Sequence, residues 1–573
     1  MFVRPSLFHE FLDKSCLIDQ IYEAMKKDDM AEVVMTALDI LKKTDTIPTF
    51  KQEKSEIQSD ILRAAGNENL SNGDYTKALE FYNEALLYAP KNSRAMKLAY
   101  SNRSFILLKV KAFRACITDI DRCFSMGCPP DIKGKLLKRR EEANKYALME
   151  SFAFSALKGF SKDYFNFTAV RNSDVPYVSA QVKIEVDMNQ PRVTAATEIN
   201  AGTIISYEEP YMASINPENH LTSCYYCLRL LPNLIPCKSC CYALFCSEEC
   251  KKKCNDEYHK YECNMMALIC NLCHGPIPNL MIKSVLKMKT KVNSWNKLIK
   301  ASKKLGNDRI KNSSSKEIFD VSSDYSVLSF NDNRAFIYGI MYNASFVCAT
   351  LLHGLSEIPE FLPNTGKEKA VKAIARIMMY LSIYGPFNDT IQAVNESIKE
   401  RTGIQQTGFA WYTFYGNLKT SCNANANVMV SFLGNKAILI AKRKIYPGEE
   451  IVTSLSEPTG ILDLEISSGF SNLRNIQSYL MRGTVCVCSK CKGSCRWDVL
   501  SPTQKEYFEK VNVPALEAKF DAMYVKEIFD KVVKVMDVLS NVPNSREYMD
   551  AYLLFRKCLL FFEVVETNNC IIR

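Results

Sequence analysis

Hydrophobic positions recur along much of this chain with helical spacing, and in two stretches they alternate as they do in strands. Helical spacing is found in residues 59–146, in most of residues 264–400 and in residues 499–573. Alternation marks VTAATEINAGTIISYEEPYMASI, which turns at Gly202, and NVMVSFLGNKAILIAKRKIYPGEEIV, which ends after a Pro-Gly turn. The pattern predicts helices toward both ends of the chain and β-structure in two separated segments.

The first helical stretch has the spacing of a tandem repeat. Its segment GNENLSNGDYTKALEFYNEALLYAP resembles a tetratricopeptide unit, in which small residues let two helices approach and aromatic residues fill the groove. A second unit follows in YSNRSFILLKVKAFRACITDIDRCF, and a third begins near Lys135. Three such helix pairs form a concave groove that accepts a peptide. The positions that carry the resemblance are Gly66, Gly73, Tyr75, Ala78, Tyr82, Ala85 and Pro90.

Polar residues on these repeats match a carboxylate clamp. Some tetratricopeptide domains bind the C-terminal carboxylates of cytosolic heat-shock chaperones, and this resemblance implies a chaperone tail as one partner. Asn side chains and cations suit a terminal carboxylate and a neighbouring acidic side chain. The alternative is that the same residues form the ordinary polar face of a repeat. The candidate peptide-binding residues are Arg63, which departs from the usual Lys, and Asn67, Asn102, Lys135 and Arg139.

Composition and charge narrow the class of protein. The 573 residues suffice for three or four domains, and 47% hydrophobic content is ordinary for a globular protein. The 23 cysteines follow no apolar leader, which predicts a reducing compartment, cytoplasmic or nuclear, with thiolates on metal. Much of the net charge of +10 lies in Lys283 to Lys316, which reads as a solvated basic loop rather than a nucleic-acid site. Residues 336–355 read as a buried helix, so no membrane partner is expected.

Residues 224–263 carry the strongest chemical signal. They run through CYYC, CKSC, CSEEC and HKYEC, which supply eight S and N donors in four pairs. Zinc takes four such donors in a tetrahedron, and a Cys-x2-Cys turn presents two thiolates to one ion. Eight donors fill two closed tetrahedra, so structural zinc is expected rather than a catalytic ion. Cys241 competes with its neighbour Cys240, and the alternative to zinc is a scatter of reduced cysteines.

This spacing resembles the MYND finger, a protein-interaction module, and the resemblance implies a MYND-binding peptide as a partner. MYND fingers interleave their ligand pairs, so each zinc draws on two separated pairs. The implied first set is Cys224, Cys227, Cys246 and Cys250, and the second is Cys237, Cys240, His259 and Cys263.

Many MYND fingers interrupt a SET methyltransferase domain, and the flanking segments are similar to one. The upstream strands end in Glu208-Glu209-Pro210, like the opening SET strands, and the later alternating stretch is similar to the SET core. The chain therefore resembles the SET-and-MYND-domain family, in its tetratricopeptide-bearing subgroup. The family adds a post-SET zinc, which implies three zinc ions in all. The ligands implied for it are Cys422, Cys486, Cys488 and Cys491, with Cys495 as a rival to Cys422.

SET enzymes transfer a methyl group from S-adenosylmethionine to a lysine amine, so the resemblance implies that cofactor. This chain departs from the family in each of the segments that bind the cofactor or orient the lysine. The first loop has Pro191-Arg192 where a Gly-x-Gly turn is usual. The family's cofactor positions are occupied by Lys419, Thr420, Ser421 and Thr484, of which only Ser421 is retained, and its catalytic tyrosine is replaced by Leu455. If the register differs, the alternatives for the tyrosine are Tyr479, Tyr412 and Tyr415.

Two functions from different classes follow. Losing two or three cofactor contacts costs about 2–4 kcal/mol, or roughly 30- to 1,000-fold in affinity. This favours a non-catalytic adaptor that joins protein partners, on a SET scaffold with an eroded active site. The other hypothesis is a working protein-lysine methyltransferase with unusual cofactor contacts.

The fold class predicted from these segments is a multidomain α+β protein. A SET domain is split by the MYND finger and a helical insert, between repeats and C-terminal helices. The expected order is an N-terminal helical region (1–58), tetratricopeptide repeats (59–146), the first part of SET (171–223), the MYND finger (224–263), a helical insert with a basic loop (264–400), the SET core (401–458), a post-SET zinc segment (459–498) and C-terminal helices (499–573).

Overall fold

In its described part, the computed structural model has helices toward both ends of the sequence and four antiparallel sheets between them. The described residues are 15–27, 29–50, 52–153, 170–187, 190–272, 276–291, 294–305, 318, 338–385, 390–394, 404–419, 421, 424–432, 435–453, 498–514, 524–543 and 545–567.

Seven helices precede the first strand among the residues that the structure describes. Side chains of Ser55, Asp74 and Ser93 cap three of them by accepting a hydrogen bond from a backbone N–H of the first turn, which starts each helix at a defined residue. The helices are α1 (Ser15–Lys26), α2 (Met30–Lys43), α3 (Glu56–Ser71), α4 (Tyr75–Tyr88), α5 (Arg94–Lys109), α6 (Phe113–Ser125) and α7 (Pro130–Ala153).

Helices α3 to α7 form a stack of neighbouring hairpins. Helix α3 packs on α4 and α5 on α6, and α5 also contacts α3 and α7. Gly66 is required at the α3–α4 crossing, because a Cβ there would collide with the ring of Tyr82. Tyr82 and Ala78 are fully buried between the helices, where the repeat spacing places them. Their packing depends on side chains of complementary size at the crossing.

The described strands form two three-stranded sheets and two hairpins, all antiparallel. One larger sheet has the order β3-β10-β9 and the other the order β4-β8-β7, so both combine strands from before and after the cysteine-rich segment. The strands are β1 (Val182–Asp187), β2 (Gln190–Ala195), β3 (Ile204–Glu208), β4 (Met212–Ile215), β5 (Ile235–Pro236), β6 (Leu244–Phe245), β7 (Thr390–Val394), β8 (Ile404–Trp411), β9 (Ala426–Phe432) and β10 (Lys436–Ala441).

Between β6 and β7 the chain is mainly helical in its described part. Helix α8 (Glu248–Cys254) continues through a π turn (Asn255–His259) and two short helical turns into α9 (Met266–Leu272). The later helices are α10 (Pro276–Lys291), α11 (Trp295–Ala301), α12 (Tyr338–Ser356) and α13 (Lys367–Tyr384). Strand β7 falls inside the range predicted as helical insert. It is extended and not helical because it pairs with β8, at the edge of the β4-β8-β7 sheet.

The interpretation of Lys283 to Lys316 as a solvated loop is wrong for its first part. Residues up to Lys291 belong to α10, and α11 follows shortly after. Lys283 and Lys287 are buried. Lysine stems are apolar and the ammonium group needs only a few partners, so such residues fit a packed helix. Lys287 Nζ donates to Tyr211 O at 2.8 Å and lies 2.9 Å from Glu257 Oε2, which joins α10 to the sheet and to the π turn.

The carboxyl-terminal helices form a separate core on the β3-β10-β9 sheet. They are α14 (Pro502–Val511), α15 (Val525–Val538) and α16 (Arg546–Thr567). Ile204, Ile438 and Ile440 of the sheet join buried residues of α15 and α16. Gly202 makes the turn before β3 with φ of +77°, and Val533 lies against it, so a side chain there would be strained and crowded.

Helices α1 and α2 pack on the insert. Helix α2 contacts α12 and α13, and Arg376 of α13 donates to Asp29, the residue that caps α2. Tyr22 stacks on Tyr342 at 6.3 Å between ring centroids. None of the helices in the described part of the chain combines the length and apolar character that a membrane crossing requires.

Candidate functional site

The first metal cluster contains Cys224, Cys227, Cys246 and Cys250. Their sulfur atoms all lie within 4.8 Å of one another. Cys224 and Cys227 lie on a turn that ends in the left-handed conformation of Leu228 (φ +59°), and Cys246 follows β6 directly. Cys250 lies in the first turn of α8, whose N-terminus is capped by Ser247. The fold thereby brings two pairs, distant in sequence, to one point.

The second cluster contains Cys237, Cys240, His259 and Cys263, whose ligand atoms meet the same 4.8 Å limit. Cys237 directly follows β5. His259 ends the π turn and Cys263 comes four residues later in the helical turns that follow, so both side chains lie on one side of this helical segment. Cys241 is buried but does not belong to this cluster. The grouping into two sets is the interleaved one that the MYND resemblance implies.

The distances within both clusters fit zinc. A zinc tetrahedron with Zn–S near 2.3 Å and Zn–N near 2.0–2.1 Å has edges of about 3.8 Å between sulfurs and about 3.6 Å between sulfur and nitrogen. Cys227 Sγ lies 3.7 Å from Cys246 Sγ, and Cys237 Sγ lies 3.8 Å from Cys263 Sγ. His259 Nε2 lies 3.6 Å from Cys240 Sγ and 3.4 Å from Cys237 Sγ. A disulfide would need about 2.05 Å, so these separations suit ligands around an ion.

A buried polar chain orients the histidine ligand. His259 Nδ1 lies 3.0 Å from Glu262 Oε2, so Nε2 is left for the metal. Tyr225 donates its hydroxyl to the other Glu262 oxygen at 2.9 Å, and Lys283 Nζ lies 3.9 Å from the centroid of the Tyr225 ring. Burial alone would raise the pKa of Glu262, but the Lys283 charge and the His259 hydrogen bond hold it below its usual value. Helix α10 thus supplies a counter-charge to the finger.

The cofactor positions are described in part. Lys419 Nζ lies 2.7 Å from Glu450 Oε1, and its backbone carbonyl accepts a hydrogen bond from Thr453 N. Ser421 N donates to Thr453 O at 2.8 Å, so this segment runs beside residues 449–453. Pro191 and Arg192 lie in β2, which pairs with β1. The other family positions lie outside the described residues: Thr420, Leu455, Tyr479 and Thr484, together with the post-SET ligands Cys422, Cys486, Cys488 and Cys491 and the rival Cys495.

Glu208 anchors the segment that leads to Lys419. It is fully buried, and its carboxylate accepts hydrogen bonds from Thr413 N, Thr413 Oγ1 and Phe414 N on one oxygen and from Tyr415 N on the other, at 2.6–3.1 Å. Burial raises the pKa of Glu208 to about 7, and these four donors limit the rise. Tyr412 donates its hydroxyl to Asn435 O. The sequence placed Glu208 at a strand end but gave no signal of these partners.

Asn425 is a second residue that sequence reasoning missed. It is fully buried, and its amide group donates to Glu450 O at 2.8 Å and to Glu449 Oε1 at 3.0 Å, while Oδ1 accepts from Val452 N at 2.9 Å. It therefore fixes the Pro-Gly-Glu-Glu turn against the segment that contains Ser421. The sequence signal that could have identified Asn425 is its position shortly after the Ser421-Cys422 pair.

Two of the predicted peptide-binding residues, Asn67 and Asn102, lie in contact with each other. Asn67 Oδ1 accepts hydrogen bonds from Tyr82 Oη at 2.7 Å and from Asn102 Nδ2 at 2.8 Å, so α3 and α5 bring the two asparagines together. Arg139 of α7 donates to Ser101 O and Ser104 Oγ, on the same helix as Asn102. Arg63 pairs with Asp60 at 3.0 Å, and Lys135 is exposed one turn before Arg139.

Comparisons with known proteins agree with this architecture. No protein-family profile matches the chain. It is 25% identical over 261 residues to the protein-lysine N-methyltransferase SMYD4 of Danio rerio, a match that covers 42% of this chain and 33% of that protein. The human protein of the same name is 23% identical over 285 residues, covering 37% of this chain and 35% of its own length. The match therefore spans about a third of the length of these relatives.

A shorter match concerns a different class of protein. Stress-induced-phosphoprotein 1 of Caenorhabditis elegans is 38% identical over 61 residues, which cover 11% of this chain and 18% of that protein. The helical amino-terminal part, the antiparallel strands and the two cysteine and histidine clusters fit the architecture of the longer-matching relatives. Together with those relatives, they support the resemblance of the chain to the SET-and-MYND-domain protein family.

Proposed function

We propose that this chain is a zinc-containing adaptor whose repeat groove binds an acidic C-terminal tail of a partner protein. The observation that carries the proposal is the contact between Asn67 of α3 and Asn102 of α5. Arg139 of α7 is hydrogen-bonded to α5, close to Asn102. A tail ends in a carboxylate, which accepts hydrogen bonds from amide and guanidinium donors. The repeats supply both kinds of donor on neighbouring helices.

The hydrogen-bond network sets which atoms face a ligand. Asn67 Oδ1 already accepts two hydrogen bonds, so its Nδ2 group is the donor that can reach a carboxylate. Arg139 Nη1 donates to two acceptors of α5, and the guanidinium lies 5.1 Å from the centroid of the Phe105 ring. Its other N–H groups can bind an anion without loss of this position. The groove is therefore built before a ligand arrives, which reduces the entropy lost on binding.

The similarity to stress-induced-phosphoprotein 1 supports a partner connected with the stress response. We take the partner to be a cytosolic heat-shock chaperone that ends in acidic residues. The MYND finger would serve a second peptide, because fingers of this class are interaction modules. Zinc supports that role by fixing residues 224–263 in one shape.

Calorimetry with a short acidic peptide tests the groove. A peptide with three acidic residues and a free terminal carboxylate should bind, and Asn67→Ala should weaken it at least tenfold, since a hydrogen bond to a charged group contributes about 1.5–3 kcal/mol. The same peptide with an amidated terminus should bind much more weakly. Lys77→Ala is the matched control, because Lys77 is an exposed cation on α4 that pairs with Asp74 and is not among the candidate peptide-binding residues. Equal binding of both peptides would reduce the clamp to a polar repeat face.

We further propose that the SET part has lost most of its affinity for S-adenosylmethionine. The ion pair between Lys419 and Glu450 supports this, since it places a long cation and its counter-ion where the family has a short amide. Titration calorimetry should show weak cofactor binding. A methyl-transfer assay should show no lysine methylation above background. Restoring Lys419→Asn, Thr420→His and Leu455→Tyr together should strengthen cofactor binding.

The second candidate function is protein-lysine N-methylation. It is favoured by the names of the SMYD4 relatives, which are called protein-lysine N-methyltransferases. Micromolar cofactor binding by the unmodified protein, with methyl transfer to any lysine substrate, would establish this function. It would contradict the proposal that the SET part has lost its cofactor affinity. Such a result would leave the peptide-binding test of the repeats unaffected.

A further inference from the structure

The repeats and the zinc finger are joined by a buried polar contact. Arg103 of α5 is fully buried, forms a two-point ion pair with Asp119 of α6 at 2.6 and 2.8 Å, and donates to Leu234 O of the finger at 2.9 Å. Arg122 donates to Asn233 O at 2.7 Å, and Asn83 donates to Leu221 O at 2.7 Å. These bonds fix the repeats and the finger in one relative position.

A cavity of about 220 Å³ lies beside this contact. On one side it is lined by the α4–α5 loop, α5 and α6, and on the other by residues 235–238, which include the zinc-cluster residue Cys237, and by α8. Its apolar part is formed by Met96, Tyr100 and Ile235, and Met126 lies at the end of α6. Lys91, Arg122, Lys238 and Lys251 also line it, against one acidic residue, Glu248. Pockets for cofactor-sized molecules measure about 300–1,000 Å³, so this one suits one or two side chains.

The charges around the cavity do not cancel. Asp119 is bracketed by Arg103 and Arg122, which leaves one positive charge on that side. Lys91 and Lys238 are exposed at the edge and add two more. Lys251 and Glu248 offset each other, and three thiolates around a zinc ion leave the second cluster with one negative charge. The cavity therefore has a net charge of about +2.

Lys251 is the best-placed cation. Only 16% of its side chain is exposed, and Nζ donates to Pro236 O at 2.9 Å while Glu248 lies at 3.7 Å with 76% of its side chain exposed. An ammonium group has three donors, so one neutral carbonyl and a distant, solvated carboxylate satisfy it incompletely. A carboxylate in the cavity would complete its hydrogen bonds.

We propose that this cavity at the repeat–finger junction binds an acidic peptide segment of a partner protein, with one apolar side chain on the Met96 and Ile235 surface and flanking carboxylates on Lys251, Lys91 and Lys238. The combination of an apolar floor with cations favours a peptide over a free phosphate or a nucleic acid, which would not use the apolar surface. None of the cavity residues belongs to the candidate clamp, so the site is additional to the proposed groove function.

The test uses full-length, zinc-loaded protein and fluorescence anisotropy. The probe is a labelled nonapeptide with a central Leu between two pairs of Glu, with both ends capped so that no terminal carboxylate is present. Wild-type protein should bind it, and Lys251→Ala should weaken binding about tenfold, as expected for loss of a charge-assisted hydrogen bond. Lys91→Ala, remote from the zinc ligands, should weaken it about threefold.

Matched controls separate this site from general charge effects and from the groove. Lys252→Ala removes one positive charge from the same helix, but Lys252 is exposed and pairs with Asp256 at 2.8 Å, so binding should stay within about twofold. Asn67→Ala should leave the capped peptide unaffected, and Lys251→Ala should leave the free-carboxylate peptide of the groove unaffected. Zinc content of each variant reports on folding of the finger.

Three outcomes would overturn the proposal. The first is no binding of the capped peptide by wild-type protein. The second is an equal loss in Lys252→Ala and Lys251→Ala. The third is full displacement by inorganic phosphate together with equal binding of a peptide in which the central Leu is replaced by Ser, which would identify a general anion site.

Discussion

Glu262 lies outside the ligand set but supports the second zinc cluster through its hydrogen bond to His259. Replacing a partner of a metal-bound histidine costs about 10- to 100-fold in metal affinity. Glu262→Gln should accordingly lower zinc affinity by that range, because Gln accepts the His259 hydrogen bond without the negative charge that strengthens it. Competition with a zinc chelator measures the change. Glu249→Gln, on an exposed residue of the same finger, should have no effect.

Glu208 should give the SET part a pH-dependent stability. Its pKa is about 7 in the folded protein against an ordinary 4.5, so between these values the folded state holds a proton that the unfolded state has lost. The stabilisation is fully present below about pH 4.5 and is lost as the pH rises through about 7. Thermal unfolding of wild type and Glu208→Gln from pH 5 to pH 8 should show the wild-type advantage shrinking. A wild-type advantage that grows with pH would mean that the four hydrogen-bond donors lower the pKa of Glu208 by more than burial raises it.

Ligand identity could be predicted from sequence, whereas the partners of buried polar residues could not. The spacing of four Cys and His pairs reflects a local requirement, since each pair must bend around one ion. Glu208 and Asn425 depend on backbone groups that arrive from other segments, and the separation of Glu208 from its partners is 205 to 207 residues. No pattern along the chain records such a contact.

At the scale of elements, the α5–α6 ion pair should decide whether the repeats stay attached to the finger. Removing one partner of a buried pair leaves an uncompensated charge and costs about 3–5 kcal/mol. Asp119→Ala should therefore lower the thermal stability of the repeats and expose residues 221–236 to limited proteolysis. The control is Asp121→Ala, which removes a carboxylate from the same helix, α6, but breaks an exposed pair with Arg140 of α7 and should cost less than about 1 kcal/mol. Equal effects would show that the buried pair has no special role.

Helix α10 shows why an element can be misread from composition. Its Lys residues suggested a solvated loop because charge usually marks exposure. Lys is a good helix former, however, and a Lys at the right position buries its stem while its ammonium reaches a carbonyl or an aromatic ring. The repeat helices were easier to predict, because Gly66 and Tyr82 are complementary in size and lie at the standard spacing.

For the whole molecule we expect three zinc ions. The two described clusters account for two of them, and Cys422, Cys486, Cys488 and Cys491 would hold the third. Elemental analysis of the purified protein measures the number, and Cys486→Ser should reduce it to two while the finger remains folded. A count of two in wild-type protein would exclude the post-SET site.

The amino-terminal helices, several strands and the two cysteine and histidine clusters could be predicted from the sequence, but the packing of the ends on the middle could not. Repeat spacing, the cysteine pairs and the alternating stretches can each be recognised within a few tens of residues. The packing of α2 on α12 and α13 joins parts of the chain that share no pattern, and Asp29 is 347 residues from its partner Arg376. Such a contact is decided by which apolar faces remain uncovered after local structure forms.

The same separation has a consequence for synthesis. A ribosome adds about 5–20 residues per second, so roughly 17–70 seconds pass between the appearance of Asp29 and that of Arg376. During that time the apolar residues of α2, among them Val34, Leu38 and Leu41, have no partner from the insert. The nascent chain must therefore keep this face covered or solvated for many seconds before the fold can close over it.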